Sequence, residues 1–311
     1  MFSGTSEACS KVITMTSNVY APRPKSLRRH IKQFPLLVAV KRFIWKFFDG
    51  TNGRTSLNLL HTFRLFVPNS AGTYEDRAQL TIQSINQTVP FLSALAQTAT
   101  GKQLDVVNIS TFPRSQEELA AARDLKERLD FYGSDKASIH DYHYLYGSIL
   151  KDRAKIRGVL EIGMGTNNTD SVSNMGMAGK PGASLRAFRD FLENADIYGA
   201  DVDRRILFSE DRIKTFYVDQ VTIPSFEGLE KSVPANLDLI IDDGLHSPDA
   251  NVATLTFALK KVKAGGWIVI EDIAPDAIPL WKLVGALLPE HFQCHLFDAE
   301  GGVVFAVHRK Q

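Results

Sequence analysis

The sequence has little cysteine and no long apolar run near its start, and both absences limit what the protein can be. Its two cysteines, Cys9 and Cys294, stand far apart in a chain of 311 residues. They are too few for a disulfide framework or a zinc site. The apolar run at residues 34–40 is interrupted by Lys41 and Arg42, so it fits neither a signal peptide nor a membrane-spanning helix. We therefore expect a cytoplasmic protein.

Neither sign of charge predominates in the whole chain, but the two signs are unevenly distributed. The 36 Lys and Arg residues against 35 Asp and Glu residues give a net charge of +1. The first fifty residues hold nine basic and two acidic residues, which gives +7 and leaves −6 for the remaining 261. A negative main body argues against nucleic acid as the substrate, because the phosphate backbone requires a basic surface. Small neutral or cationic substrates fit better.

The composition, with 44% apolar and 23% charged residues, is that of an ordinary globular protein. The length predicts two domains, or one α/β domain with an appendage. We expect a flexible leader at 1–25, a mainly helical accessory region at 26–129 with helices near 78–96 and 116–129, and the main domain at 130–311. The basic stretch 26–48 is open to two interpretations. It is either an amphipathic helix in peripheral contact with an anionic membrane, or a homo-oligomer contact or cover for the main domain.

From about residue 130 the sequence alternates between apolar runs, glycine turns and helical patterns, which is typical of βαβ units. A C-terminal hairpin adds an antiparallel strand to an otherwise parallel sheet. The fold class predicted is therefore α/β, with a doubly wound, mostly parallel sheet. Ligands bind outside the carboxyl ends of such strands. The predicted strands are 158–162, 197–200, 213–218, 237–241 and 267–270, with the hairpin strands at 294–297 and 303–307.

A glycine turn follows the first of these strands, at Gly163 and Gly165. Glycine lets the backbone turn tightly and approach a ligand closely. A dinucleotide site would have a third glycine at position 168 and an acid about 20 residues further on. Asn168 occupies that position, and the next strand-end acid, Asp201, lies 38 residues beyond Gly163. These differences argue against NAD.

Acidic residues also follow the second and third strands, at Asp201 and at Asp219 with its neighbour Gln220. With the glycine turn, they resemble the class I S-adenosylmethionine-dependent methyltransferases over residues 130–311. The resemblance implies a Rossmann-like, seven-stranded sheet and S-adenosylmethionine as cofactor. Asp201 would accept both ribose hydroxyls, as a carboxylate can, and Asp219 would face the adenine. The implied cofactor contacts are Glu161, Gly163, Gly165, Asp201, Asp219 and Gln220.

The fourth and fifth strands end in carboxylates, in Asp242-Asp243-Gly244-Leu245-His246 and in Glu271-Asp272. Ser247-Pro248 predicts a helix start, which holds His246 at the mouth of the sheet. Clustered carboxylates repel one another unless they are protonated or share a cation, and oxygen ligands favour Mg²⁺. We predict that Asp243, Glu271 and Asp272 bind Mg²⁺, and that Asp242 points to the opposite face of its strand.

This arrangement is similar to the Mg²⁺-dependent O-methyltransferases that act on macrolide deoxysugars. The similarity extends to Tyr132-Gly133-Ser134-Asp135-Lys136, to His140 and Tyr142, and to Gly182-Ala183-Ser184-Leu185-Arg186. It implies that His246 or Asp243 is the general base. It also implies weaker cofactor contacts from Ser134, Lys136 and Ser184.

The predicted function is methyl transfer from S-adenosylmethionine to a hydroxyl of a sugar or glycosylated small molecule. Mg²⁺ would lower the pKa of the hydroxyl, and His246 would take its proton. The long loop 166–182 is expected to be a substrate lid. Two alternatives stay open: a catechol-like diol as acceptor, or a non-catalytic protein that binds the cofactor or a membrane surface. His246 could also be only a helix-start residue bonded to a backbone carbonyl.

Overall fold

The computed structural model describes residues 74–311, and residues 86–311 form one compact unit. The predicted leader at 1–25, the basic stretch 26–48 and the rest of the accessory region up to residue 73 lie outside the described residues. Within residues 74–311, no helix is both long enough and apolar enough to cross a membrane.

Two helices on either side of β1 in the sequence were both predicted. Helix α1 spans Tyr74–Thr100 and α2 spans Gln116–Tyr132. Ser115 begins α2 through a capping box with Glu118, in which each side chain accepts from the other residue's backbone N–H. Gly133, at φ 77°, ends the helix. The helix continues past residue 129, where the main domain was predicted to begin one residue later. That domain boundary stays a prediction.

Nine strands form one sheet in the described part of the chain, in the order β1-β8-β9-β7-β6-β2-β3-β5-β4. The strand pairs are parallel except where β9 pairs with β7 and β8, and where β4 pairs with β5. The strands are β1 (Val106–Asn108), β2 (Gly158–Ile162), β3 (Asp196–Asp201), β4 (Ser209–Glu210), β5 (Ile213–Tyr217), β6 (Leu237–Asp242), β7 (Val262–Ile273), β8 (Phe292–Ala299) and β9 (Gly302–Arg309).

The five predicted strands and the C-terminal hairpin are confirmed. The sheet has nine strands rather than the predicted seven because β1 and β4 extend its two edges. Strand β4 has only two residues, too few to produce an alternating apolar pattern in the sequence. Strand β1 has three residues, all exposed, and pairs with β8.

Helices cover both faces of the sheet, which makes it doubly wound. On one face, α2 and α4 (His143–Ile149) pack with α5 (Ala183–Phe191); the short α3 (Asp135–Ser138) lies between α2 and α4 in the chain. On the other face lie α6 (Ile223–Ser232), α7 (Pro248–Lys261) and α8 (Ile278–Leu287). Neighbouring residues of β2 point to opposite faces, so Val159 belongs to the first core and Leu160 to the second. Burial on both faces explains the continuous apolar runs of the central strands.

Candidate active site

A cavity of about 850 Å³ opens at the carboxyl ends of the central strands. Its wall combines the residues after β2, β3, β5, β6 and β7, as expected for a parallel sheet of this kind. Among the lining residues are Gly163, Gly165, Asp201, Asp219, Gln220, Asp243, His246 and Asp272. The structure therefore brings eight of the predicted site residues to one cavity.

The glycine turn after β2 lines the cavity at the point where β2 lies beside β6. Gly163 adopts φ 89°, and a Cβ at this position would overlap the carbonyl oxygen of Asp243. Gly165 adopts φ 75°, and a Cβ there would overlap the sulfur of Met175. Only glycine combines this backbone conformation with so close an approach. The turn thus sets the end of β2 directly against the end of β6.

Asp201 ends β3 and is buried, with its carboxylate held by two backbone amides. The N–H of Met164 donates to Oδ2 and the N–H of Asp203 donates to Oδ1, each at 2.8 Å. Burial raises the pKa of Asp201, and these backbone hydrogen bonds oppose the rise. A carboxylate has about four acceptor positions. Asp201 can therefore accept two further hydroxyl donors from the cavity.

Asp219 and Gln220 also reach the cavity wall, but both are engaged in local structure. Asp219 accepts from the N–H of Val221 at 3.1 Å and from the hydroxyl of Thr222 at 2.7 Å. Gln220 donates to Asp242 at 2.7 Å and accepts from the N–H of Leu245 at 2.8 Å. The Gln220 amide therefore fixes the turn that leads to His246. The cofactor contacts predicted for the two residues remain predictions.

The other four predicted cofactor contacts lie outside the residues that line the cavity. Glu161 is fully buried and accepts a 2.5 Å hydrogen bond from Ser184. Ser134 begins α3, where its hydroxyl accepts from the N–H of Lys136 at 3.4 Å. These positions make the side chains of Ser134, Lys136, Glu161 and Ser184 a layer behind the cavity wall.

Lys136 is the partner of the buried acids, a role that the sequence did not indicate. Its ammonium lies 3.1 Å from Glu161 Oε1 and 2.5 Å from Asp243 Oδ2, and it also contacts Glu271 Oε2. The repulsion expected among the strand-end carboxylates is therefore relieved by a cation from the chain itself. We call Glu161, Asp243 and Glu271 the inner acids.

Two tyrosines of the segment between α3 and the end of α4 complete this layer. The hydroxyl of Tyr142 donates to Asp272 Oδ1, and that of Tyr146 donates to Glu271 Oε1. The two tyrosines are four residues apart, so they meet the acids from the same side. Burial, with the charge of Glu271, raises the pKa of both phenols. This spacing was visible in the sequence, but nothing there indicated which groups the tyrosines would meet.

Asp243, His246 and Asp272 form a group that could hold a metal ion. Each offers one ligand atom, and these atoms all lie within 4.8 Å of one another. His246 Nε2 lies 3.9 Å from Asp243 Oδ1 and 3.8 Å from Asp272 Oδ2. We call these three residues the outer trio. Two carboxylates beside an imidazole fit a divalent cation, so the donor set here is suitable.

Glu271, which was predicted to bind Mg²⁺ with Asp243 and Asp272, is not part of the outer trio. Lys136 and Tyr146 engage its two oxygens, and it is 1% exposed. Burial raises the pKa of Glu271 well above its usual range, and the Lys136 ammonium opposes that rise. Asp242 points away from the cluster, as expected, and accepts from Asn251 of α7 at 3.0 Å.

The backbone of the outer trio is itself unusual. His246 and Asp272 have φ of 55° and 54°, a left-handed conformation that is uncommon outside glycine. Such conformations persist where the surrounding structure determines them, and they concentrate at functional sites. His246 Nδ1 is buried and has no hydrogen-bond partner among residues 74–311. The backbone carbonyl partner considered for His246 is therefore not found.

The loop 166–182 lies over the cavity, and Asp203 holds its first residues. The Asp203 carboxylate accepts from Thr166 at 2.7 Å and from Asn168 at 2.8 Å. The side-chain hydrogen bond from Arg205 keeps the pKa of Asp203 well below its usual range, and Arg205 also pairs with Asp170. Asp203 was not among the predicted site residues, although it stands two residues beyond Asp201.

The strand order and the cavity together define a class I methyltransferase fold: a mostly parallel, doubly wound sheet with a glycine turn after β2. Comparison with known proteins then gives particular relatives. The chain matches no protein-family model. It is 28% identical over 179 residues to an 8-demethyl-8-alpha-L-rhamnosyl tetracenomycin-C 2'-O-methyltransferase of Streptomyces olivaceus, covering 55% of this chain and 44% of that protein.

A second relative is the mycinamicin VI 2''-O-methyltransferase of Micromonospora griseorubida, 36% identical over 93 residues, which are 30% of this chain and 23% of that protein. The chain thus spans less than half the length of these curated relatives. Among solved structures, the MycE methyltransferase of the mycinamycin pathway, in complex with Mg, SAH and mycinamycin VI, is 23% identical with a TM-score of 0.49. That match covers 60% of this chain and 54% of the MycE chain.

Proposed function

We propose that the protein transfers a methyl group from S-adenosylmethionine to a hydroxyl of a sugar carried by a small molecule. One observation carries the proposal: the glycine turn, Asp201 and the outer trio line the same cavity. A cofactor-binding surface and a group suited to a divalent cation are thus placed side by side. The names of the two curated relatives, both sugar O-methyltransferases, support this acceptor class.

The residues around the glycine turn suit S-adenosylmethionine. The backbone at Gly163 and Gly165 leaves space that any Cβ would fill, and Asp201 has acceptor positions free for the two ribose hydroxyls. Asp219 lies further along the wall, where we propose that it faces the adenine. A cofactor bound against the glycine turn and Asp201 would leave the space beside His246 and Asp272 for the acceptor.

Asp243 and Asp272 would hold Mg²⁺, which prefers oxygen ligands. The bound ion supplies Lewis acidity that lowers the pKa of a sugar hydroxyl. His246 is not among the proposed metal ligands: its Nε2, which faces Asp243 and Asp272, is the group placed to accept the hydroxyl proton. As that proton moves to His246, the sugar oxygen forms its bond to the methyl carbon while the carbon–sulfur bond breaks. The products are the methyl ether and S-adenosylhomocysteine.

The test is methyl transfer to deoxysugar glycosides, followed by mass spectrometry for the addition of one methylene. His246→Gln should reduce turnover by about 10²–10⁴-fold, the usual contribution of a general base, while binding of S-adenosylhomocysteine is retained. His291→Gln is the matched control, since His291 is an exposed histidine that does not line the cavity. Full activity in His246→Gln would contradict the assigned base.

The same assay separates the other interpretations. A catechol that is methylated in preference to any glycoside would favour the diol alternative. Absence of S-adenosylhomocysteine binding, together with binding of residues 26–48 to anionic vesicles, would favour the non-catalytic one. The cytoplasmic location, the absence of a nucleic acid partner and the homo-oligomer contact remain predictions from the sequence.

A further inference from the structure

Lys136 occupies an unusual place, because its ammonium lies among three carboxylates and is almost fully removed from solvent. The side chain is 2% exposed, and the inner acids Glu161 and Glu271 are 0% and 1% exposed. Burial lowers the pKa of Lys136, but the charges of Asp243, Glu271 and Glu161 outweigh burial and raise it well above its ordinary value. Buried carboxylates are costly unless a cation compensates them. Lys136 is the cation that the described structure provides.

Asp243 faces two ways, and this links Lys136 to the outer trio. Its Oδ2 is 2.5 Å from the Lys136 ammonium, whereas its Oδ1 is directed toward His246 Nε2, at 3.9 Å. Glu271 contacts Lys136 through the oxygen that Tyr146 leaves free. A divalent cation held by the outer trio would therefore draw on Asp243, a carboxylate that Lys136 already holds.

We propose that Lys136 is a tethered cation that stabilises the inner acids in the absence of a divalent ion and weakens the affinity of the site for one. The inference rests on the proposed function only for the location of the ion. The alternative is that Lys136 is an ordinary buried ion pair. The two interpretations differ in one expected result. Only if Lys136 is a tethered cation should a free divalent ion compensate for the loss of its ammonium.

The experiment compares Lys136→Met with Lys261→Met, in wild-type background and at one pH. Lys261 is the matched control because it is also buried, at 7% exposure, but donates to the backbone carbonyls of Glu230 and Val233. Both variants lose a buried ammonium, and only Lys136→Met leaves carboxylates uncompensated. Thermal unfolding is followed by circular dichroism in EDTA and in Mn²⁺, and Mn²⁺ affinity is measured by calorimetry.

We expect both variants to unfold at a lower temperature than the wild type in EDTA. Mn²⁺ should restore Lys136→Met by a larger shift than it gives the wild type, and should leave Lys261→Met unrestored. The Mn²⁺ affinity of Lys136→Met should rise at least about tenfold, the order of effect expected when one positive charge is removed from beside a ligand of a divalent ion, even with the screening of water. A shift no larger than that of Lys261→Met, or an unchanged or weaker Mn²⁺ affinity, would overturn the proposal.

Recovery of Lys136→Met only in Mn²⁺ buffer, with unfolding on chelation, would also support the proposal. If the variant is recovered in neither buffer, the double variant Lys136→Met with Glu161→Gln removes one charge of each sign and is measured in the same way. Glu161→Gln alone is its reference, because Glu161 pairs with Lys136 at 3.1 Å and losing either charge alters the affinity for a cation. A Mn²⁺ affinity in the double variant no higher than that of Glu161→Gln would overturn the tethered cation. These readouts use no methyl transfer. Failure of the wild type to bind S-adenosylhomocysteine would therefore remove the proposed function without affecting them.

Discussion

Substitution of Gly163 by alanine tests how closely the two halves of the cavity wall approach one another. The new Cβ would meet the backbone carbonyl oxygen of Asp243 and the Cα of Gly244. Backbone atoms of a neighbouring strand end cannot rotate away as a side chain can. Because Asp243 N is bonded to the carbonyl of Ile162 at 2.7 Å, the overlap can be relieved only by separating β2 from β6.

Two costs add at this position. An alanine held at positive φ costs about 1–2 kcal/mol, and an overlap inside a packed region costs typically about 1–3 kcal/mol. Gly163→Ala should therefore lower the free energy of unfolding by about 2–5 kcal/mol. Gly176→Ala isolates the first cost, because Gly176 has φ 69° and no atom within 4 Å of the position of its Cβ.

The assay is urea denaturation of wild type and both variants, with binding of S-adenosylhomocysteine by calorimetry. Gly176→Ala should lose about 1–2 kcal/mol, and Gly163→Ala should lose more. Gly165→Ala should fall between the two, because the overlapping group there is the flexible side chain of Met175. Equal losses for Gly163→Ala and Gly176→Ala would refute the argument, since the contact with Asp243 would then contribute nothing.

Three further predictions concern the site and the pH dependence of stability. Asp201→Asn should weaken S-adenosylhomocysteine binding about tenfold or more by calorimetry, because a hydrogen bond to a charged group contributes about 1.5–3 kcal/mol; an unchanged affinity would exclude the ribose contact. Tyr142→Phe leaves an Asp272 oxygen without its donor and should cost about 1–3 kcal/mol in urea denaturation. Burial, with the charge of His308, lowers the pKa of His295 in the folded protein. Its contribution to stability is therefore present above the pKa of the unfolded chain, about 6.5, and is lost as the pH falls below it. His295→Gln should lose less stability than the wild type between about pH 7 and pH 5, and equal losses would contradict this.

The parts of the fold that could be predicted are those that local sequence determines. Strand β2 was predicted at its observed bounds because a run of apolar residues ends at a glycine turn, and α2 because residues 116–129 show a helical pattern. Strand β4 could not be predicted, since two exposed residues carry no periodic signal. It exists because the chain after β3 returns alongside β5.

The site was predictable to the extent that strand ends converge, and unpredictable where a partner comes from elsewhere in the chain. Asp201, Asp243 and Asp272 reach the cavity because they lie at the carboxyl ends of β3, β6 and β7, central strands of the sheet. The contact between Lys136 and Asp243 joins residues 107 positions apart. The repulsion among the acids was predicted. Lys136, however, lies in α3 ahead of β2, and nothing in the sequence indicates which strand ends its side chain will contact.

The placement of β9 bears on how the chain is assembled during synthesis. This strand follows β8 along the chain, yet it lies between β7 and β8, with Val303 to Val307 buried. Until residues 302–309 leave the ribosome, β7 presents an unpaired edge, and β8 with β1 has nothing to join. Unpaired strand edges are templates for aggregation. A polypeptide that lacks residues 302–309 would thus be a substrate for chaperones and proteases.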